Sequence, residues 1–271
     1  MNATFSSRLM ALQTERRSVV CVGLDPDPSR LPTHLGTDPH VATREFCLQI
    51  IRATKESACA YKFNFAFFEA LGSTGLDILS ETVAEARNHA LTIADAKRGD
   101  IGNSASFYAS SVFADLGFDS VTVAPYMGRD SVEPFLQHAG TCAFILARTS
   151  NPGGDDFQRM DVAGRPLYEH VARSAADWAS ALPAEAGLVV GATDLDALAH
   201  LRRILPDTPF LIPGVGAQGG APGAVMQANG GGPVLVNSSR GIIYASQDRD
   251  YAAAAARATR QLADELREVQ P

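Results

Sequence analysis

The stretch LTIADAKRGDIGNS, residues 91–104, places ionisable side chains directly after a short apolar run. Asp95 and Lys97 are two positions apart, and Asp100 follows three residues later. If the apolar run is a buried strand, Asp95 and Lys97 project from the same face of that strand. A carboxylate and an ammonium group at the end of a core strand form either a structural ion pair or part of a site that handles a charged substrate.

A second lysine favours the substrate site over the structural pair. Lys62 and Asn64 lie two positions apart in CAYKFN, another apolar run, and also share a face. If the two runs are neighbouring strands, Lys62 lies beside Asp95 and Lys97. Nearby opposite charges favour the charged forms, so such an array keeps its lysines protonated and its aspartates ionised. Two lysines and several acids at one rim cost desolvation free energy that an apolar structural site avoids.

The elements that position these residues are eight short apolar runs separated by helical segments. The runs are SVVCVGLD, CAYKFN, LTIADAK, SVTVAP, CAFILA, GLVVGA, PFLIPG and PVLVNSS. Each is continuous rather than alternating, which is typical of parallel strands covered on both faces. Residues 43–57, 76–90 and 194–205 have helical apolar spacing. The pattern predicts an α/β fold, a single (β/α)8 barrel domain over residues 1–271 with an extra N-terminal helix and a last outer helix at 250–269.

The ends of the predicted strands are the candidate site, because active sites of this fold lie at the carboxyl ends of the strands. They supply Asp25, Lys62, Asn64, Asp95, Lys97, Ser150, Gly214, Gln218 and Arg240. Glycine-rich loops, PGVGAQGGAPG and NSSRGII, follow the seventh and eighth runs. Loops in these positions commonly bind a phosphate through backbone N–H groups, and an arginine adds a charge-assisted contact. Tight turns alone would also use glycine, but two loops and an arginine favour phosphate.

The polar stretch ARTSNPGGDDFQRM, residues 147–160, follows the fifth run. It fits a surface loop, and its length and glycines equally fit a lid that closes over a ligand, with Ser150 at its base.

Composition excludes several other functions. The formal net charge of −7 argues against a nucleic-acid partner. The four cysteines form no CxxC pair and lie in apolar stretches, so we expect free thiols in a reducing compartment. The N-terminus is predicted to be an amphipathic helix rather than a signal peptide, and no apolar run reaches the roughly 18 residues of a membrane helix, so we expect a cytoplasmic protein. The histidines lie in predicted loops and helices rather than at strand ends, so no metal site is expected. No Walker A or dinucleotide-binding motif follows a predicted strand, so no bound cofactor is expected.

Taken together, these motifs resemble one family. GLD, KFN, DAKRGDIGNS, SNPGG, PGVGAQGG and SRGI occur in this order between about residue 20 and residue 243, and the set is similar to orotidine 5′-phosphate decarboxylases of the longer bacterial type. Ser104 departs mildly, since members of that family often have threonine there. The resemblance implies cofactor-independent conversion of orotidine 5′-monophosphate to UMP and CO₂, the last step of de novo pyrimidine synthesis.

The resemblance also implies residue roles. Lys97 is the implied proton donor within a catalytic set that includes Asp95, Lys62 and Asp100. The implied substrate-binding residues are Asp25, Asn64, Ile101, Ser104, Ser150, Pro213, Gly214, Gln218, Ser239 and Arg240, with Asp25 at the ribose and Gln218 and Arg240 at the phosphate. Asp100, Ile101 and Ser104 are expected to reach the neighbouring subunit's site in a two-fold homodimer. No metal is implied.

Three alternatives remain open. A magnesium-dependent ketogulonate-phosphate decarboxylase or hexulose-phosphate synthase of the same barrel group shares the DxKxxD pattern but carries an acid where this chain has Lys62. An aldolase would form a Schiff base on Lys62 or Lys97, although flanking aspartates favour the protonated, non-nucleophilic amine. A non-catalytic sugar-phosphate binding protein would need the phosphate loops but not the charged array.

Overall fold

Eight parallel strands form a closed barrel in a computed structural model of the protein, which describes residues 3–216 and 219–268. The strands are β1 (Val20–Leu24), β2 (Ala60–Asn64), β3 (Leu91–Arg98), β4 (Ser120–Val123), β5 (Cys142–Arg148), β6 (Glu185–Val190), β7 (Phe210–Pro213) and β8 (Val234–Ser238). Consecutive strands are neighbours, and β8 closes the barrel by placing Val236 opposite Val20. The predicted barrel fold is confirmed, and each of the eight apolar runs overlaps one strand.

Helices surround the barrel. They are α1 (Phe5–Arg16), α2 (Pro39–Thr54), α3 (Phe65–Glu69), α4 (Gly72–Arg87), α5 (Gly102–Ser110), α6 (Arg129–Val132), α7 (Leu167–Ala179), α8 (Leu195–Ile204), α9 (Pro222–Asn229), α10 (Arg240–Ile243) and α11 (Tyr251–Arg267). The apolar spacing located α2 but not its start. The helix begins at Pro39 because the Asp38 carboxylate accepts the N–H groups of His40 and Val41. Across the described parts of the chain, no helix has the length and apolarity needed to cross a membrane.

Helix α1 closes the amino end of the barrel, as an extra N-terminal helix would. Phe5 and Leu9 are fully buried, and the Phe5 ring meets Phe144 edge-on with the ring centroids 5.7 Å apart. The guanidinium of Arg8 donates to Asp119 at 2.5 Å and fixes the helix to the loop before β4. Helix α1 therefore covers the amino end of the barrel interior, and the ends of the strands that carry the predicted site residues lie at the opposite end.

The four cysteines are free and buried, as the sequence predicted. Burial raises the pKa of the Cys59 thiol to about 12, and it raises the pKa of Cys21, Cys47 and Cys142 as well. Because the thiolate is the reactive form, these side chains serve as small apolar groups of the core.

Candidate functional site

The strand ends surround two adjoining cavities at the carboxyl end of the barrel. The first, about 360 Å³, is lined by Lys62, Asp95, Lys97, Thr122, Leu146, Thr149, Ser150, Asn151, Val189, Leu211 and Pro213. The second, about 380 Å³, is lined by Asp25, Lys62, Asn64, Asp95, Ser150, Pro213, Gly214, Val215, Asn237, Ser238, Ser239, Arg240 and Gly241. Because four residues line both cavities, the two form one continuous mouth.

Asp95 is the centre of the charged groups in this mouth. Its Oδ2 accepts a hydrogen bond from Lys62 Nζ at 2.6 Å, and its Oδ1 accepts one from Lys97 Nζ at 2.6 Å. Lys62 Nζ also lies 3.9 Å from Asp25 Oδ1. The predicted proximity of Lys62 to Asp95 and Lys97 is confirmed, and we call Asp25, Lys62, Asp95 and Lys97 the lysine–aspartate array.

The array keeps its buried members charged. Burial raises the pKa of Asp95, but Lys62 and Lys97 lower it further, so its net pKa falls to about 2. Burial lowers the pKa of Lys62, while Asp25 and Asp95 raise it, and the net direction is upward. At neutral pH the Lys62 ammonium therefore lies between two carboxylates, where it supplies the cation that they share. A protonated amine of this kind is not a Schiff-base nucleophile.

Lys97 has an unusual backbone conformation. Its φ is +44°, in the left-handed region that residues with side chains rarely adopt, and the pairing of β3 with β4 shifts register between Ala94 and Arg98. The Lys97 N–H donates to Thr122 Oγ1 at 2.9 Å, and that hydroxyl in turn donates to Asp95 Oδ1 at 3.1 Å. Asp95 and Lys97 share the mouth as strand alternation predicts, but an irregular strand and a threonine hold them there.

Thr122 was not singled out by the sequence. The one available signal is a hydroxyl near the end of the apolar run SVTVAP. The residue matters because β4 pairs beside β3, so its hydroxyl reaches the irregular part of the neighbouring strand.

The loop after β7 differs in detail from the expectation. Gly214 and Gly216 have φ values of +85° and +96°, which glycine adopts without strain. We expected free backbone N–H groups in this loop, but those of Gly219 and Gly220 donate to the carbonyls of Gly216 and Gly214 at 3.0 and 3.1 Å. These two amides therefore stabilise the loop itself. Arg240, at the start of α10, lines the second cavity beside this loop.

Three of the predicted site residues are not brought to the mouth. Asp100, Ile101 and Ser104 line neither cavity. The Asp100 carboxylate accepts the Ile101 N–H at 2.8 Å, and the side chain of Ile101 is 57% exposed. Gln218 lies outside the described residues.

A second group of charges, of which Arg148 and Asp194 are buried, lies beside the mouth. Arg148, at the end of β5, donates to Asp194 at 2.8 Å and to Asp155 at 2.5 Å, and Arg159 donates to Asp194 at 2.6 Å. We call these four residues the Arg148 cluster. Asp194 also caps α8 by accepting the Ala197 N–H at 3.2 Å. The cluster therefore fastens the segment after β5 to the start of α8, a contact between distant residues that the sequence did not predict.

The segment after β5 is docked at the edge of the mouth. It contains a 3₁₀ turn, Pro152–Asp156, and a two-stranded ribbon of Asp161–Val162 and Arg165–Pro166. A Cβ at Gly191 would lie 2.8 Å from the Ser150 nitrogen, so only glycine permits this close approach. Ser150 lines both cavities, as expected for the base of a loop or lid over the site.

A larger cavity, about 710 Å³, lies at the amino end beside α1, α8 and α9. Burial lowers the pKa of its Arg202 to about 10, but this guanidinium already donates to Asn229 and to the carbonyls of Leu205, Pro206, Thr208 and Pro233. The Arg202 guanidinium therefore has hydrogen-bond partners within the fold. Over residues 3–216 and 219–268, no three His, Cys, Asp or Glu side chains are grouped to hold a metal ion.

Comparison with known proteins identifies the family. Residues 18–256 match the sequence model of the orotidine 5′-phosphate decarboxylase / HUMPS family. The chain belongs to this family. A Roseiflexus castenholzii protein named orotidine 5′-phosphate decarboxylase is 48% identical over 254 residues, which cover 92% of each chain. A Herpetosiphon aurantiacus protein of the same name is 46% identical over 253 residues, covering 93% of each.

Solved structures of the family have the same fold. The structure of Leishmania donovani OMP decarboxylase is similar to this chain with a TM-score of 0.82 and 37% sequence identity, covering 97% of this chain and all of that one. The resemblance inferred from the sequence motifs is therefore confirmed at the level of the family and of the barrel.

Proposed function

We propose that this chain decarboxylates orotidine 5′-monophosphate to UMP and CO₂, the last step of de novo pyrimidine synthesis. The observation that carries the proposal is the Asp95 carboxylate, which binds the ammonium groups of Lys62 and Lys97 at 2.6 Å each on the wall of a cavity. The names of the relatives, which match the chain over more than nine-tenths of its length, support the same activity.

The chemistry follows from where the lysine lies. When the bond from C6 to the carboxylate breaks, CO₂ leaves and the electron pair stays on C6. Stabilising that charge without a cofactor requires cations that are already in place. Lys97, whose side chain is 53% exposed towards the mouth, is positioned to stabilise the charge and then to donate a proton to C6, leaving a neutral amine.

Asp95 and the apolar wall act on the carboxylate that leaves. A substrate carboxylate beside Asp95 is repelled by a like charge, and this repulsion is relieved when CO₂ departs. Leu146, Val189 and Leu211 line the same cavity. An apolar wall disfavours a carboxylate and accepts neutral CO₂, so both features lower the barrier in the same direction.

The second cavity suits the sugar and the phosphate. Asp25, a member of the array, and Asn64, which is opposite Asp95 in the pairing of β2 with β3, both line this cavity. We assign these two residues to the ribose. We assign Pro213, Gly214, Gln218, Ser239 and Arg240 to the phosphate, and Ser150 to the junction of the two cavities. Phosphate binding far from C6 supplies free energy that can be used to order the segment after β5 over the substrate.

We further propose a two-fold homodimer that completes each site with residues of the partner. Large apolar side chains are exposed on the segments that follow β3 and β4: Ile101 at 57% just before α5, Phe107 at 70% within α5, and Tyr126 at 89% and Met127 at 47% after β4. Pairing two such surfaces would bury them and bring Asp100, Ile101 and Ser104 to the other chain's mouth.

Subunit exchange tests the shared site. Lys97→Ala and Asp100→Ala proteins are each expected to be inactive, but a heterodimer has one site with both lesions and one with neither. Random exchange should therefore restore about a quarter of wild-type activity. If exchange is demonstrated by mass spectrometry and no activity returns, Asp100 serves its own chain and the shared-site proposal fails.

The remaining proposals concern the whole chain. We propose that residues 1–271 form one domain, supported by barrel strands that span residues 20 to 238 with α1 and α11 at either end. A cytoplasmic location is supported by the four free, buried cysteines.

The activity itself is tested by mixing purified protein with orotidine 5′-monophosphate and following the ultraviolet change as the orotate ring becomes uracil. We expect one CO₂ and one UMP per substrate, at the same rate with and without chelator. A chelator-sensitive rate restored by magnesium would favour the metal-dependent alternative. Substrate binding without turnover would indicate a binding protein, and trapping of an imine by borohydride would indicate Schiff-base chemistry.

A further inference from the structure

The motif DAKRGD contains an arginine to which the proposed reaction gives no role. Arg98 directly follows Lys97 and is the last residue of β3. The Lys97 ammonium lies in the mouth, whereas Arg98 lines neither mouth cavity. Its guanidinium instead donates to the carboxylate of Glu69, the last residue of α3, at 2.8 Å. A charged side chain at this point of the strand therefore requires an explanation of its own.

Two aromatic rings pack against the Arg98 guanidinium. Its central carbon lies 5.3 Å from the centroid of the Phe65 ring and 5.0 Å from that of the Tyr108 ring. Both distances are within the range at which a cation is attracted to an aromatic face. The buried Nε–H finds no acceptor among the described residues, so the rings and Glu69 determine where the guanidinium lies. We call Arg98, Phe65, Glu69 and Tyr108 the Arg98 anchor.

The Arg98 anchor joins the segments that follow two strands of the array. Phe65 is the first residue of α3 and directly follows Asn64, on the same strand as Lys62. Tyr108 lies in α5, the helix that follows β3. Arg98 therefore fastens the end of β3 to both helices at a point one residue away from Lys97.

Lys97 depends on such fastening because its backbone is unfavourable. A φ of +44° brings the Cβ of a residue too close to the following carbonyl, and such a conformation persists only where surrounding contacts determine it. On one side, the Lys97 N–H donates to Thr122 Oγ1. On the other side, the Arg98 carbonyl accepts the Ala124 N–H at 2.8 Å. The chain is thus held immediately before and after the catalytic lysine.

We propose that Arg98 is a positioning residue for Lys97. Its anchored side chain holds the end of β3 in the conformation that keeps the Lys97 ammonium at Asp95 and directed into the mouth. This inference rests on the proposed function and adds to it a residue that does not touch the substrate.

A double-mutant cycle distinguishes the positioning of Lys97 from general support of the fold. The kcat for orotidine 5′-monophosphate is measured per folded chain for the wild type, Arg98→Met, Lys97→Ala and the double variant. We expect Arg98→Met to lower kcat on the order of 10- to 100-fold when Lys97 is present, because a small misplacement of a catalytic group costs rate of that order. In the Lys97→Ala background the same change should lower kcat by no more than about twofold, since no ammonium is left to position.

The matched control is Arg257→Met, which removes an exposed guanidinium that donates to Asp250 at the same distance of 2.8 Å. This control should leave kcat unchanged. If Arg98→Met does not fold, Arg98→Lys enters the cycle with the same expected pattern, because a compact ammonium does not replace the planar guanidinium between the rings.

An equal fractional loss of kcat in both backgrounds would overturn the proposal, since a merely structural arginine does not require Lys97 for its effect. No loss in either background would overturn it as well. Turnover by the wild type tests the proposed function separately. An active wild type with equal losses contradicts this inference alone, whereas an inactive wild type contradicts the proposed function and this inference with it.

Discussion

Two groups of opposite charges, each built around one buried ion pair, lie at the same end of this barrel, and they differ in whether their polar atoms all have partners. In the Arg148 cluster, guanidinium and carboxylate groups bind one another and join the segment after β5 to α8, and none of the four residues lines the mouth cavities. In the lysine–aspartate array, every member lines a cavity, Asp25 Oδ1 has no hydrogen-bond partner in the described chain, and Lys97 is half exposed.

A high density of charged side chains therefore does not by itself identify an active site. A buried ion pair contributes little net stability relative to apolar packing, so either group requires a further reason to exist. For the Arg148 cluster, that reason is the segment after β5, which the cluster fastens to α8. The ion pairs of the array join only strands that the barrel already pairs, so they add no new connection. The array's unpaired oxygen and exposed ammonium face a cavity, which is the arrangement that a charged substrate requires.

Asp95→Asn should have a large effect on turnover. The carboxylate shared by Lys62 and Lys97 is lost, so the lysines are no longer held in place and the repulsion of the substrate carboxylate disappears. We expect turnover of orotidine 5′-monophosphate to fall on the order of 10³-fold. Steady-state kinetics measure the effect, with the exposed Asp77→Asn variant as control. Near-normal turnover of Asp95→Asn would show that the array has a structural role, like the Arg148 cluster.

Asp194→Ala should lower the stability of the protein, in contrast to Asp95→Asn, which should lower turnover. The change leaves Arg148 buried with one carboxylate fewer and removes the cap of α8, so we expect the free energy of unfolding to fall by about 3–5 kcal/mol. Urea denaturation measures this, with Asp196→Ala on the exposed face of the same helix as control. An unchanged unfolding free energy with lost turnover would show that the Arg148 cluster acts in the chemistry.

A smaller effect concerns pH. Because the pKa of Asp95 is about 2 in the folded chain and 3.8 ordinarily, its stabilising contribution is complete above the higher value and is lost as pH falls towards the lower. That share amounts to about 2 kcal/mol. The unfolding free energy of the wild type should thus fall more steeply between about pH 4 and pH 2 than that of Asp95→Asn. Parallel curves would contradict the charge assignment.

The barrel and the location of its mouth could be predicted from the sequence because both are encoded locally. Continuous apolar runs identify parallel strands, and the polar residues in the last positions of a run identify the strand end. Asp95, Lys97 and Lys62 were found in this way, and the fold then brought them within hydrogen-bond distance.

The remaining features depend on contacts between residues far apart in the chain. Thr122 reaches Asp95 because β3 is irregular beside it, and a strand pattern does not reveal a left-handed residue such as Lys97. The sequence places Asn237 in the loop motif NSSRGII. It does not reveal that the missing side chain of Gly23, on the first strand, leaves the space beside Asn237 Oδ1. Such placements follow from barrel closure and register rather than from spacing.

The central claim, that the array carries out the reaction, is tested most directly by kcat for orotidine 5′-monophosphate in Lys97→Ala, with Lys55→Ala as the matched lysine control. We predict that Lys97→Ala still binds UMP and unfolds at nearly the wild-type temperature, while kcat falls by on the order of 10³-fold or more. A folded Lys97→Ala protein that releases CO₂ at close to the wild-type rate would contradict the account.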